Sequence, residues 1–172
     1  YDNYGRKTSM SDVDKGSWSY KTNGFGETVS QTDAKTQTTT FEFNSLGQLI
    51  RRYDPSGTVC WSYGTSSAAY NLDKLVTVKQ WSSNQACNSA TTALYQEGYT
   101  YNSKGLVSNK TVTTEGTAFS FGSVYDSVGR PYELTYPLVN GYGGIVVRTE
   151  YSNGVAYKNT DVTGGVIGTV YQ

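Results

Sequence analysis

A six-residue pattern recurs along this chain and constrains its fold more than any other feature: an aromatic, a small polar residue, two variable residues, Gly, then a polar or charged residue. The clearest copies are Tyr1-Asp2-Asn3-Tyr4-Gly5-Arg6 and Tyr125-Asp126-Ser127-Val128-Gly129-Arg130, 124 residues apart and different only at the two middle positions. Phe43-Asn44-Ser45-Leu46-Gly47-Gln48 and Tyr101-Asn102-Ser103-Lys104-Gly105-Leu106 repeat the pattern, Tyr20-Lys21-Thr22-Asn23-Gly24-Phe25-Gly26-Glu27 repeats it loosely, and Tyr151-Ser152-Asn153-Gly154 is a shortened copy. Self-similarity at such spacings is the mark of a repeat architecture. The copies start near 1, 20, 43, 101, 125 and 151, with one more expected near Tyr63-Gly64 and degenerate sequence through 82–92, so 1–172 reads as a single array of repeats.

Within the pattern, Asp or Asn followed by Gly three residues on suits a hairpin loop whose Gly takes the left-handed conformation, where a β-carbon is strained. Gly5, Gly24, Gly47, Gly105 and Gly129 are therefore read as structural. A second kind of turn is expected at Asp14-Lys15-Gly16, Asp33-Ala34-Lys35 and Asp54-Pro55-Ser56-Gly57. Between turns the sequence alternates in twos, as in Ser17-Trp18-Ser19-Tyr20 and Thr39-Thr40-Phe41-Glu42-Phe43, which is the period of a strand. With 16 Tyr and 19 Gly, and no apolar spacing of helical period, the chain is expected to be all-β: tandem antiparallel hairpins forming a twisted, spiralling sheet. Each hairpin has one aromatic face and cannot bury it alone, so the aromatic faces are expected to share a core.

The hexads at Tyr1 and Tyr125, with Thr32-Asp33-Ala34 and the aromatic-rich segments between copies, resemble the YD repeats of the Rhs family. The resemblance implies a long sheet that spirals into a shell or solenoid, similar to bacterial Rhs polymorphic-toxin shells, to the B and C components of insecticidal toxin complexes and to teneurins. It further implies a structural segment that encloses and helps deliver a toxin, excerpted from a larger, secreted or cell-surface bacterial protein. Its partners would be the rest of that polypeptide and the enclosed toxin. The alternative is a cell-surface adhesion or carbohydrate-binding array, with surface glycans as partners. A partial coil leaves strand edges open, so edge-to-edge self-association is also expected.

Catalysis is not expected. The chain has no His, the usual general base and the commonest metal ligand, and its carboxylates recur at repeat spacing, so no cofactor or metal is anticipated. Basic and acidic residues balance at 14 each without blocks, which argues against a nucleic-acid partner. Cys60 and Cys87 are either bridged across a long loop or reduced and packed as small apolar residues. Trp18, Trp61 and Trp81 are candidates for stacking a sugar, against the simpler reading that they fill a core.

Overall fold

The computed structural model describes residues 1–139, 142–163 and 170–171. Among them there is no helix: the chain is all-β, and the paired strands run antiparallel. Two units can be distinguished, Tyr1–Ser62 with Val78–Leu94, and Tyr63–Thr77 with the described residues from Tyr95 onward.

The first unit is a meander of β1 (Ser9–Asp12), β2 (Gly16–Thr22), β3 (Thr28–Thr32), β4 (Thr38–Phe43), β5 (Leu49–Asp54) and β6 (Gly57–Tyr63), each paired with the next. After β7 (Leu75–Trp81) comes the second meander, β8 (Tyr95–Tyr101), β9 (Val107–Thr114), β10 (Thr117–Tyr125) and β11 (Pro131–Thr135). A small hairpin of β12 (Leu138–Val139) and β13 (Tyr142–Gly143) then intervenes before β14 (Val146–Ser152) pairs with β11, β15 (Val155–Asp161) with β14, and β16 (Val170–Tyr171) with β15.

Register gives the first unit two chemically different faces. Met10 opposes Trp18, Tyr20 opposes Gln31, Gln31 opposes Thr39, and Phe41 opposes Arg52, which opposes Val59. Strand alternation places Trp61 on this aromatic face as well. The other face carries Ser19, Thr32 and Thr38 in one row and Ser30, Thr40, Tyr53 and Thr58 in the next.

The shared aromatic core expected from the sequence is not what forms. Among the described residues only Gly57, Thr58, Cys60, Gly64 and Trp81 are buried, and Trp18, Tyr20, Phe41 and Phe43 are each half-buried. The reason is architectural: paired strands satisfy one another's backbone groups, but burying a sheet face takes a second layer, and none of the described residues of the first unit lies over the aromatic side.

Thr58 and Cys60 belong to the hydroxyl-bearing face, where residues 82–94 cross β5 and β6. This stretch is an irregular loop fixed by the Cys60–Cys87 disulfide, with Cα atoms 5.6 Å apart. The Thr58 hydroxyl donates to the Ser83 carbonyl at 3.0 Å and accepts from the Gln85 N–H at 3.0 Å. Arg51 donates to the Gln85 carbonyl and to Asn84 Oδ1, and the Trp81 indole donates to the Thr91 carbonyl at 2.9 Å. Such bonds return about 1 kcal/mol each, while fixing each loop residue costs at least about as much. The loop offers only Ser, Asn, Gln, Thr and Ala besides Cys87 and an exposed Leu94, so the covalent link decides that it stays down.

Candidate functional site

The repeat chemistry is built on one turn, used six times among the described residues. In each, the N–H of an Asp or Asn donates to the carbonyl four residues on, and the residue three positions on donates back to the Asp or Asn carbonyl. The pairs begin at Asp2, Asn23, Asp33, Asn44, Asn102 and Asp126. The Oδ1 of the same side chain accepts two further N–H groups, for Asp126 those of Val128 at 3.0 Å and Arg130 at 2.9 Å. This is how a short polar side chain substitutes for backbone in a turn. The fourth position requires positive φ, as at Gly129 (φ 90°).

Two positions differ from the sequence reading. The left-handed residue of the second turn is Gly26 (φ 88°), and Gly24 sits where Ser45 sits in the next copy, so the motif begins at Thr22 and not at Tyr20. At Asp33 the turn is the same as in the hexads, with Thr36 (φ 62°) in place of Gly. Elsewhere, Asp12 and not Asp14 caps the β1–β2 turn, accepting from the Asp14 and Lys15 N–H groups, and Asp54 caps a tight turn that ends at Gly57.

In four of the six turns the fifth position is matched to the first, the exceptions being Asp33 with Gln37 and Asn102 with Leu106. At Asp2 and Asp126 the second carboxylate oxygen meets Arg: Asp2 with Arg6 at 2.6 Å and Asp126 with Arg130 at 2.7 Å. At Asn23 and Asn44 the Nδ2 donates to an acceptor: Glu27 from Asn23 at 2.6 Å and Gln48 from Asn44 at 2.7 Å. The Arg6 N–H and guanidinium hold the Asp2 carboxyl below the usual range. Burial alone would raise Asp126, but its bonds with Arg130 and Val128 bring it down.

Just before the turns at Asn23, Asn44, Asn102 and Asp126, and before the shortened copy at Tyr151, the ladder carries a bulge, between Lys21 and Thr22, Glu42 and Phe43, Thr100 and Tyr101, Val124 and Tyr125, and Glu150 and Tyr151. A bulge re-aims the side chain beside it. In the second unit that side chain is Tyr, and its hydroxyl donates to the carbonyl of a residue that begins an earlier strand: Tyr101 to Leu75 at 2.6 Å, Tyr125 to Val107 at 2.9 Å and Tyr151 to Pro131 at 2.8 Å. Neighbouring turns are also tied by Arg6 donating to the Asn23 carbonyl, Lys74 to that of Gly105, and Lys104 to those of Asp126 and Ser127. Tyr1, by contrast, is 83% exposed.

On the aromatic face of the first unit, Tyr20, Phe41, Phe43 and Leu49 line an apolar cleft of about 330 Å³ with Thr28 and Gln31. A more polar cleft of about 450 Å³ lies against Trp18, with Gln31, Asp33, Gln37 and Asp54 around it. Trp61 is half-buried, whereas Trp81 is 2% exposed with its indole N–H engaged, which leaves it no face for a ligand. In the second unit, Glu97 accepts from the Tyr95 and Tyr99 hydroxyls and pairs with Lys110 at 2.7 Å. Burial disfavours its charge, yet the bonds from Lys110 and the two tyrosines outweigh burial and hold its pKa down to about 2. Among the described residues no cluster of three or more His, Cys, Asp or Glu side chains is placed to hold a metal ion.

The geometry thus defines a class: a meander of strands joined by recurring side-chain-capped turns, with a half-exposed aromatic face. Residues 23–64 match the RHS Repeat family. The match runs from the Asn23 that opens one capped turn to the Gly64 that follows β6. No curated protein sequence matches the chain. Among solved structures, it resembles that of TcdB2-TccC3-TEV (14% identity over 90% of this chain and 10% of that one, TM-score 0.57) and that of TcdB2-TccC3-Cdc42 (14%, 90%, 10%, 0.57). It also resembles a Photorhabdus luminescens Tc holotoxin pore bearing a TccC3 mutation (15% identity over 90% of this chain and 9% of that one, TM-score 0.56). At these identities the likeness is one of fold, and the chain spans about a tenth of the length of those relatives.

Proposed function

We propose that this chain is a section of wall in an Rhs-type shell, not an enzyme, and that its open aromatic face is turned toward an enclosed toxin segment of a longer secreted polypeptide. The observation that carries this reading is the combination of fully laddered strands with a half-exposed aromatic face, centred on the residues that match the RHS repeat. Strands so paired need no cargo to hold their backbone, while rows such as Trp18, Tyr20, Phe41 and Phe43 offer an apolar surface to a chain kept from folding. The resemblance to Tc toxin structures supports the same assignment, and a disulfide fits an oxidising destination. Among the described residues β1 pairs only with β2, so its outer edge suits a further repeat of the same polypeptide or another copy.

The test places a photo-crosslinking residue at Phe41 in the full-length polypeptide. Crosslinks to its own downstream segment, together with protease resistance of that segment, are expected. A segment digested as fast with the repeats present as without them would overturn the reading.

A second reading, a carbohydrate-binding surface, has support of its own in the Trp18 cleft, where an indole meets two carboxylates and two amides. Glycan-array binding that Trp18→Ala abolishes and Trp81→Ala leaves intact is the expected result for it; absence of binding to any glycan removes it.

A further inference from the structure

We infer that the Cys60–Cys87 disulfide is a reduction-sensitive latch: cutting it releases residues 82–94 from β5 and β6 while the strands stay paired. The inference needs no toxin and does not rest on the shell reading. It comes from three features of the first unit. The two sulfurs are unequally accessible, since Cys60 is 3% exposed while Cys87 lies on an exposed loop. The loop is pinned by polar contacts to Arg51 and Thr58 and has no large apolar side chain to bury against the sheet. The strands beneath are laddered independently of it, β5 to both β4 and β6.

The chemistry is thiol–disulfide exchange with a low-molecular-weight thiol such as glutathione. Its thiolate must approach in line with the S–S bond from beyond the sulfur it attacks, and only Cys87 offers that approach from solvent. A mixed disulfide forms on Cys87 as the bond to Cys60 breaks, and Cys60 leaves as a thiolate that takes up a proton. A second thiol then frees Cys87, so two thiols are oxidised to one disulfide as the cystine becomes two cysteine thiols. With the link gone, the loop is held by contacts too weak to order it, and Thr58, Cys60 and Trp81 lose their cover.

The experiment uses the intact chain, with Trp18→Phe and Trp61→Phe so that Trp81 alone reports. On reduction by glutathione, cleavage by proteinase K within 82–94 is expected to rise at least tenfold and Trp81 to become open to acrylamide quenching. The strand signal in circular dichroism should be unchanged, and reoxidation should restore protection. Mass spectrometry of the trapped intermediate should find glutathione on Cys87. A Cys87→Ser variant should be nicked without reductant and ignore it; if that variant does not fold, alkylating the reduced chain gives the same comparison. Unchanged protease resistance after reduction, collapse of the strand signal, or glutathione on Cys60 would each overturn the latch.

Discussion

The two units use the same capped turn and the same bulge but stitch successive repeats together differently. In the second unit the residue after the bulge is Tyr101, Tyr125 or Tyr151, and each hydroxyl reaches a backbone carbonyl of an earlier strand. In the first unit that position holds Thr22 and Phe43, and the described stitches are Arg6 on the Asn23 carbonyl and the disulfide loop. Turn and bulge therefore persist whether the aromatic position is Tyr, Phe or Thr. The polar side chain and the left-handed residue make the turn, and the tyrosine joins one repeat to another.

The largest effect expected from breaking this contrast is in the first unit. A β-carbon at Gly57 (φ 135°) would fall 1.9 Å from the Trp81 carbonyl oxygen, backbone that cannot move without the loop. Gly57→Ala should cost about 3 kcal/mol or more. Gly116 (φ 77°), in the β9–β10 turn of the second unit, has open space around it, and Gly116→Ala should cost only about 1 kcal/mol. Calorimetry on the two variants checks the difference; equal costs would mean the loop yields.

Acid should weaken the second unit through Glu97. Its folded pKa of about 2 lies below its ordinary value of 4.5. The stability it contributes is thus fully present above about pH 4.5 and is lost as pH falls toward 2. With Glu97 16% exposed but Lys110 38% exposed, the amount is on the order of 2 kcal/mol after allowing for solvent screening. Denaturant titrations between pH 5 and 2 should show the loss in the native chain and little of it in Glu97→Gln.

What was legible in the sequence follows from how local each determinant is. The capped turns could be read because their donors and acceptors lie within five residues, which is why Asp2, Asn44, Asn102 and Asp126 stand out as text. A turn was legible at Asp33, but its kinship with the hexad turn was hidden because Thr36 takes positive φ where Gly is the usual signal, and in Asn23-Gly24-Phe25-Gly26 two glycines compete for one role. The tyrosine stitch was not legible, since Val107 and Pro131 are 18 and 20 residues from the hydroxyls they receive. Residues 82–94 looked like eroded repeat because polarity without periodicity has no positive signature; only Cys60 and Cys87 hinted at a separate role. The buried aromatic core was overcalled because alternation specifies which residues share a face and says nothing of what covers it.

The matching of first and fifth turn positions predicts an effect of intermediate size. Asn23→Asp sets a carboxylate against Glu27 where an amide now donates at 2.6 Å, and should destabilise the first unit by roughly 1 kcal/mol, less at high salt. Adding Glu27→Arg recreates the pairing of Asp126 with Arg130, so the double variant should recover most of the loss. If the two changes are simply additive in a thermal-unfolding cycle, the complementarity is incidental.

The smallest expected effects bear most directly on the contrast between the units. Tyr125→Phe removes the hydroxyl that reaches Val107 and leaves the ring, so it should cost about 1 kcal/mol, the net worth of one hydrogen bond. The converse change, Phe43→Tyr, supplies the first unit with the hydroxyl it lacks. Thr28 begins β3 five residues after Asn23, as Val107 begins β9 five residues after Asn102, and Thr28 lines the same cleft as Phe43. A hydroxyl at position 43 should therefore find the Thr28 carbonyl and stabilise by up to about 0.5 kcal/mol, since ring burial and turn are already in place. The outcome discriminates sharply because the opposite sign has a clear meaning. If Phe43→Tyr destabilises the chain while Tyr125→Phe is neutral, the hydroxyl is tolerated solvent-facing polarity and the repeats are held by ring packing alone.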